Sequence, residues 1–198
     1  MTTKDNFTTR MPKVSIPARF LSAFMAGLMV FWPAAVSARN LPMNPTVIKG
    51  EVNINVSGNN MNIDQLTNKA IVNWESFDIG AGFAVDINQI SKNASMLARV
   101  TGTNLSEIYG RLSATGALYL INPNGILFGS GAVVDVNRLI ASTMDINNDD
   151  FMAGRLKFTG DSTASVINEA TINANSAALI AKNVENRGVI NTPNGQAA

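Results

Sequence analysis

The chain has 198 residues, of which 46% are hydrophobic and only 15% charged, against roughly 25% charged in ordinary soluble domains. A formal charge of +1 is too balanced for a stripe built to hold nucleic acid. The chain contains neither Cys nor His, which removes disulfides, thiol nucleophiles, His-based triads and nearly all zinc sites.

Residues 1–38 read as an address. Arg10, Lys13 and Arg19 give a basic start, Lys4 and Asp5 cancel, residues 20–36 are apolar but for Ser22, Gly27 and Pro33, and Val36-Ser37-Ala38 closes the stretch with small residues at its last two positions. A basic region, an apolar run and a small-residue site describe a secretory signal peptide cleaved after Ala38, with translation starting at Met1 or Met11. A stable membrane anchor is disfavoured, because a spanning helix wants about 20 apolar residues and Pro33 interrupts this shorter run. Cleavage leaves a mature domain, residues 39–198, with a net charge of −2. That chain leaves the cytoplasm and folds without covalent staples.

The mature part predicts short strands and turns. Brief apolar or alternating runs stand at residues 52–56, 84–87, 117–121 and 132–136, each bounded by Gly, Asn, Ser or Pro. One short helix is expected, over residues 91–100. The 25 Asn and 15 Gly residues suit many turns better than long helices. Asn122-Pro123-Asn124-Gly125 is a type I turn by composition, and Thr192-Pro193-Asn194-Gly195 repeats its chemistry.

The C-terminal third selects among all-β architectures. Val166, Asn168, Ile172 and Asn173 recur as Val184, Asn186, Ile190 and Asn191, always at the same interval. A fixed period of this kind predicts a right-handed parallel β-helix with Val over Val, Ile over Ile and an Asn168–Asn186 amide ladder. The same register places Ala178, Leu179 and Ile180 under Gln196, Ala197 and Ala198, so the sequence is expected to stop inside a coil, either as the start of a longer exoprotein or because the missing coil is dispensable. The expected fold is an all-β solenoid with short extra-helical β elements and an N-terminal cap.

Four collinear stretches carry a family resemblance: Ala70-Ile71-Val72-Asn73-Trp74-Glu75-Ser76-Phe77-Asp78-Ile79-Gly80; Ala98-Arg99-Val100-Thr101-Gly102 with Ser106-Glu107-Ile108-Tyr109-Gly110; Leu118-Tyr119-Leu120-Ile121-Asn122-Pro123-Asn124-Gly125-Ile126-Leu127-Phe128-Gly129; and Leu139-Ile140-Ala141-Ser142-Thr143. Together they resemble the N-terminal secretion domain of filamentous-haemagglutinin-type exoproteins, the cargo of two-partner secretion in Gram-negative bacteria. The resemblance implies a secretion address and folding nucleus, not an enzyme, that needs no cofactor. It implies export through the periplasm to the cell surface or medium. It also implies an Omp85-type outer-membrane transporter as partner, whose periplasmic POTRA-type domains receive the chain, with host cells or glycans as further partners. Asn122, Pro123, Asn124 and Gly125, with Arg99, are the candidate recognition residues. On this view, replacing Asn122 and Pro123 by Ala impairs export more than it impairs the finished fold.

Rival readings are a β-helix polysaccharide lyase or hydrolase and a direct glycan-binding adhesin. The densest acidic run, residues 145–150, begins like a calcium loop but carries Asp150 where Gly is needed and Leu156 where the bidentate Glu belongs, so it reads as a solvated loop. Residues 125–131 are Gly-rich but lack the Lys-Ser/Thr of a phosphate loop. Trp74 and Phe77 are read as an apolar anchor, with sugar stacking as the alternative. An Arg99–Glu107 ion pair is expected to be exposed and weak.

Overall fold

The structure is a computed structural model and describes residues 40–193 and 195–198. The signal segment, its cleavage position at Ala38 and Asn194 of the second turn lie outside the described residues. The strands in chain order are β1 (Thr46–Lys49), β2 (Val52–Ser57), β3 (Asn60–Gln65), β4 (Lys69–Trp74), β5 (Ala84–Gln89), β6 (Ser95–Val100), β7 (Ser106–Ile108) and β8 (Arg111–Ile121). There follow β9 (Ile126–Phe128), β10 (Val133–Ser142), β11 (Asp145–Ile146), the helix α1 (Asn148–Ala153), β12 (Phe158–Thr159), β13 (Ser165–Asn168), β14 (Thr171–Ile180), β15 (Asn183–Asn186) and β16 (Val189–Asn191).

These strands wind into a right-handed parallel β-helix with three walls. The first wall stacks β3, β5 and the N-terminal halves of β8, β10 and β14, followed by β16. The second stacks β4, β6 and the C-terminal halves of the same three long strands. The third is β7, β9, β13 and β15. In β8 the bend between walls falls beside Gly116, where a Cβ would lie 2.4 Å from the Ala94 carbonyl oxygen; only glycine lets the coils stack this closely. Antiparallel β1 and β2 pair with β4 and β3 at the N-terminal end, forming the expected cap.

The predicted register holds at the C-terminal end. Val166 pairs with Val184, Asn168 with Asn186, Ile172 with Ile190 and Asn173 with Asn191. Asn168 donates to the Asn186 side chain at 2.8 Å and Asn191 to Asn173 at 2.8 Å, so both amide ladders form. Inside, Val85, Leu112, Val134 and Ile172 stack in one column, each fully buried, with Ile190 partly buried at its end. The apolar column is the main favourable term in holding coil to coil.

Two expectations about elements are corrected. Residues 91–100 do not form a helix: Ser91–Ala94 turns, and the rest is β6. Met96, Ala98 and Val100 face the main core, while Leu97 is buried in a second apolar cluster on the outside of the wall. Burial on both faces erased the alternation that marks a half-buried strand. At the end of the chain Ala197 bridges to Ala177, displaced from the expected partner by the turn that Gly195 N–H closes onto the Thr192 carbonyl. Pro193 has no N–H with which to continue the ladder, so the chain turns where β14 ran on. Among the described residues no helix is long and apolar enough to cross a membrane.

Candidate functional site

The Asn122 corner joins the second wall to the third, between β8 and β9. Its turn is closed by Gly125 N–H donating to the Asn122 carbonyl at 3.1 Å. Asn44 is the one non-glycine residue at positive φ among the described residues, so Asn124 keeps the negative φ that a type I turn requires and a type II turn forbids. Gly125 follows at φ 113°, a conformation that L side chains rarely adopt.

The four residues divide into two pairs. Asn122 is fully buried. Its amide nitrogen donates to the Asn104 carbonyl at 3.0 Å and to the Ser106 hydroxyl at 3.0 Å, while its side-chain oxygen accepts from Asn124 N–H at 2.9 Å. Its backbone N–H also continues the ladder to the Ser142 carbonyl at 2.9 Å. Gly125 is buried as well, whereas Pro123 and Asn124 are exposed. Asn124 donates to the Gly102 carbonyl at 2.8 Å, and the Pro123 carbonyl accepts from the Ser162 hydroxyl at 2.6 Å. Asn122 is thus a structural hub, while only Pro123 and Asn124 present a surface.

Arg99 stands at the same corner. It pairs in register with Ile121, the residue before Asn122. Its partner is not Glu107, which lies on β7 in the third wall, but Asp145, at 2.8 Å from Arg99 Nε. Arg99 Nη1 reaches Asn148 at 2.8 Å, and Nη2 reaches the Ile146 carbonyl at 2.6 Å. The Arg99 side chain is 14% exposed, so this is a mostly buried guanidinium with its donors matched.

The acidic run is accordingly not a solvated loop. Asp145 and Ile146 form β11, and Asn147 caps α1 by accepting from Asp149 N–H at 2.8 Å. Asp150 pairs with Arg155. Lys69 completes the arrangement from β4, donating at 2.9 Å to the carbonyls of both Phe151 and Met152 at the C-terminal end of α1. Sequence reasoning missed Lys69 and Phe151, and no local signal marks them, because the contact spans 82 residues. Trp74 and Phe77 are fully buried and pack edge to face at 5.5 Å, so neither ring offers a face to a sugar.

A coil corner with one buried amide hub and two exposed residues, Pro123 and Asn124, on a cap-started parallel β-helix, is a scaffold and a surface. The comparison with protein families matches residues 38–197 to the TPS secretion domain. The chain belongs to the TPS secretion-domain family. Its function is thereby that of the secretion domain of a two-partner-secretion exoprotein, a class passed across the outer membrane by a dedicated transporter; the family is one of secretion domains, not of catalysts. Two curated relatives are heme/hemopexin-binding proteins of Haemophilus influenzae. One, from strain ATCC 51907 / DSM 11121 / KW20 / Rd, is 44% identical over 110 residues, covering 56% of this chain and 12% of that protein. The other is 35% identical over 127 residues, covering 64% of this chain and 14% of the relative. Among solved structures, the TPS domain is similar to the HMW1 secretion domain from Haemophilus influenzae, with a TM-score of 0.72 at 34% identity over 75% of this chain and 41% of that one.

Proposed function

We propose that residues 39–198 are taken up by the periplasmic POTRA-type domains of the outer-membrane transporter while only partly folded, and that the Asn122 corner is read at that stage. The observation that carries this is the division of the corner. Asn122 and Gly125 are buried and hold the turn, while Pro123 and Asn124 are held outward by them. A turn that closes through its own side chain forms from local sequence, before the coils above it exist. Arg99 is a positioning residue in this reading, since its bonds anchor residues 145–148 beside the corner. The N-terminal segment directs the chain to the periplasm and is removed after Ala38, which the start of the family match at residue 38 supports. Adhesion to host cells or glycans, and any counterpart of the relatives' binding of heme or hemopexin, we place outside these residues.

The test compares secreted with periplasmic protein in cells that carry the transporter. Pro123→Ala costs the folded state only about 0.4–1 kcal/mol through lost pre-organisation, and Asn124→Ala removes one exposed side chain together with its bonds to the Gly102 carbonyl and the Asn122 side chain. Both are expected to lower secretion severalfold while the purified proteins melt within a few degrees of the parent. A parallel fall of secretion and stability makes the corner structural only, and no change in either removes it from recognition.

A further inference from the structure

Among the described residues, the longest departure from the parallel coils lies between β10 and β13. Elsewhere the second and third walls are joined tightly: residues 122–125 link β8 to β9, and Ala181 and Lys182 link β14 to β15. Here residues 143–164 depart, form β11, α1 and β12, and return, so that Asp135 meets its ladder partner Asn173 after 38 residues, where Asn173 meets Asn191 after 18. The connection is far longer than its neighbours and carries secondary structure of its own.

What the insert covers is an apolar strip on the outer surface of the second wall. Ile71, Leu97, Tyr119 and Ile140 stand in register on β4, β6, β8 and β10. They are buried beneath Ile146, Phe151 and Phe158 of the insert, with Phe151 edge to face on Tyr119 at 5.2 Å. Two cations flank the strip. Arg99 holds Asp145, and Lys69 holds the C-terminal carbonyls of α1 and stands 5.7 Å from the Phe151 ring. The insert thus reaches backward, onto coils that precede it in the chain. A β-helix that has grown only as far as residue 142 has this strip bare.

We propose that the strip is a docking surface for the outer-membrane transporter, and that residues 143–164 form a strap that displaces the transporter by closing over it. The strap itself shows the chemistry that fits: an aromatic side chain for the Tyr119–Leu97 surface and a carboxylate for Arg99. The matching element of the transporter is a short apolar segment bearing an aromatic and an acidic residue, contributed by its periplasmic part. Closure of the strap removes that segment's site and lets the finished coils go.

This inference rests on the secretion reading above and is tested by binding of the transporter's purified periplasmic part to the exported protein. Phe151→Ser, which loosens the strap, is expected to tighten binding at least tenfold. A synthetic peptide of residues 144–159 is expected to compete for that binding, and to slow capture of urea-unfolded wild-type chain as it is diluted into buffer. The peptide experiment decides the matter if Phe151→Ser does not fold. Equal binding by parent and variant together with an inert peptide overturns the strap, and so does dimerisation of Phe151→Ser without gain of transporter affinity. If the transporter captures neither native nor unfolded wild-type chain, the secretion reading falls; if it captures the unfolded chain regardless of strap and peptide, only the strap falls.

Discussion

Asn122 spends its whole side-chain amide inside the fold. Its two donated bonds go to a backbone carbonyl from residue 104 and to the buried Ser106 hydroxyl, and its oxygen holds the next turn of chain. Truncation to Ala removes all three bonds and takes its amide donor from the fully buried Ser106 hydroxyl, at about 1–3 kcal/mol for a buried polar group left unsatisfied. Asn122→Ala is therefore expected to lower the unfolding free energy by at least about 2 kcal/mol, well beyond the effect of Pro123→Ala, as read from urea unfolding of the two purified variants. Equal losses would mean that the Asn122 bonds are replaced by water. Composition identified the turn, because Asn-Pro-Asn-Gly has turn chemistry in any context. That its first residue is an inward hub, unlike Pro123 and Asn124, depended on strand β7 lying alongside.

At the scale of elements the C-terminal coils are held by columns that are regular but short. Ile190 closes the Val134–Ile172 column and is only partly buried, since β16 has β14 on one side alone. Ile190→Asp places a charge against Ile172, which costs several kcal/mol if the charge stays buried. The element can instead let go, so the expected outcome is local: hydrogen exchange speeds up in β15 and β16 while residues 60–142 keep their protection. Global unfolding, or no change at all, would count against the register. That register was legible because the period of the last coils is uninterrupted. The helix expected over residues 91–100 failed for the opposite reason. Its strand is covered on the outer side by Phe151 and Ile146, which come from far along the chain, so no alternation was left to see.

Across the whole molecule, stability comes from non-covalent contacts, chiefly the stacking of coils, since no Cys is present. The unfolding midpoint is expected to be the same with and without reductant. Refolding is expected in the millisecond-to-second range or slower, because the parallel pairings join segments far apart in sequence; stopped-flow fluorescence of Trp74 follows it. The exported protein is expected to begin at Arg39, by N-terminal sequencing, and an intact apolar segment in the secreted form would contradict the cleavage position.

The class of solenoid, the pairing of its last coils and the position of the Asn-Pro-Asn-Gly corner were all legible in the order of residues. Each follows from short-range chemistry: a repeated apolar period, a ladder-forming amide, and a proline and glycine at turn positions. The stacked coils were needed to show that Arg99 binds Asp145 and not Glu107, that Lys69 caps α1, and that residues 145–150 belong to a folded insert and not a solvated loop. Those contacts join β4 and β6 to an insert 46 to 83 residues away. Their partners are chosen by which wall each side chain faces once the coils are stacked, and no local pattern encodes that choice.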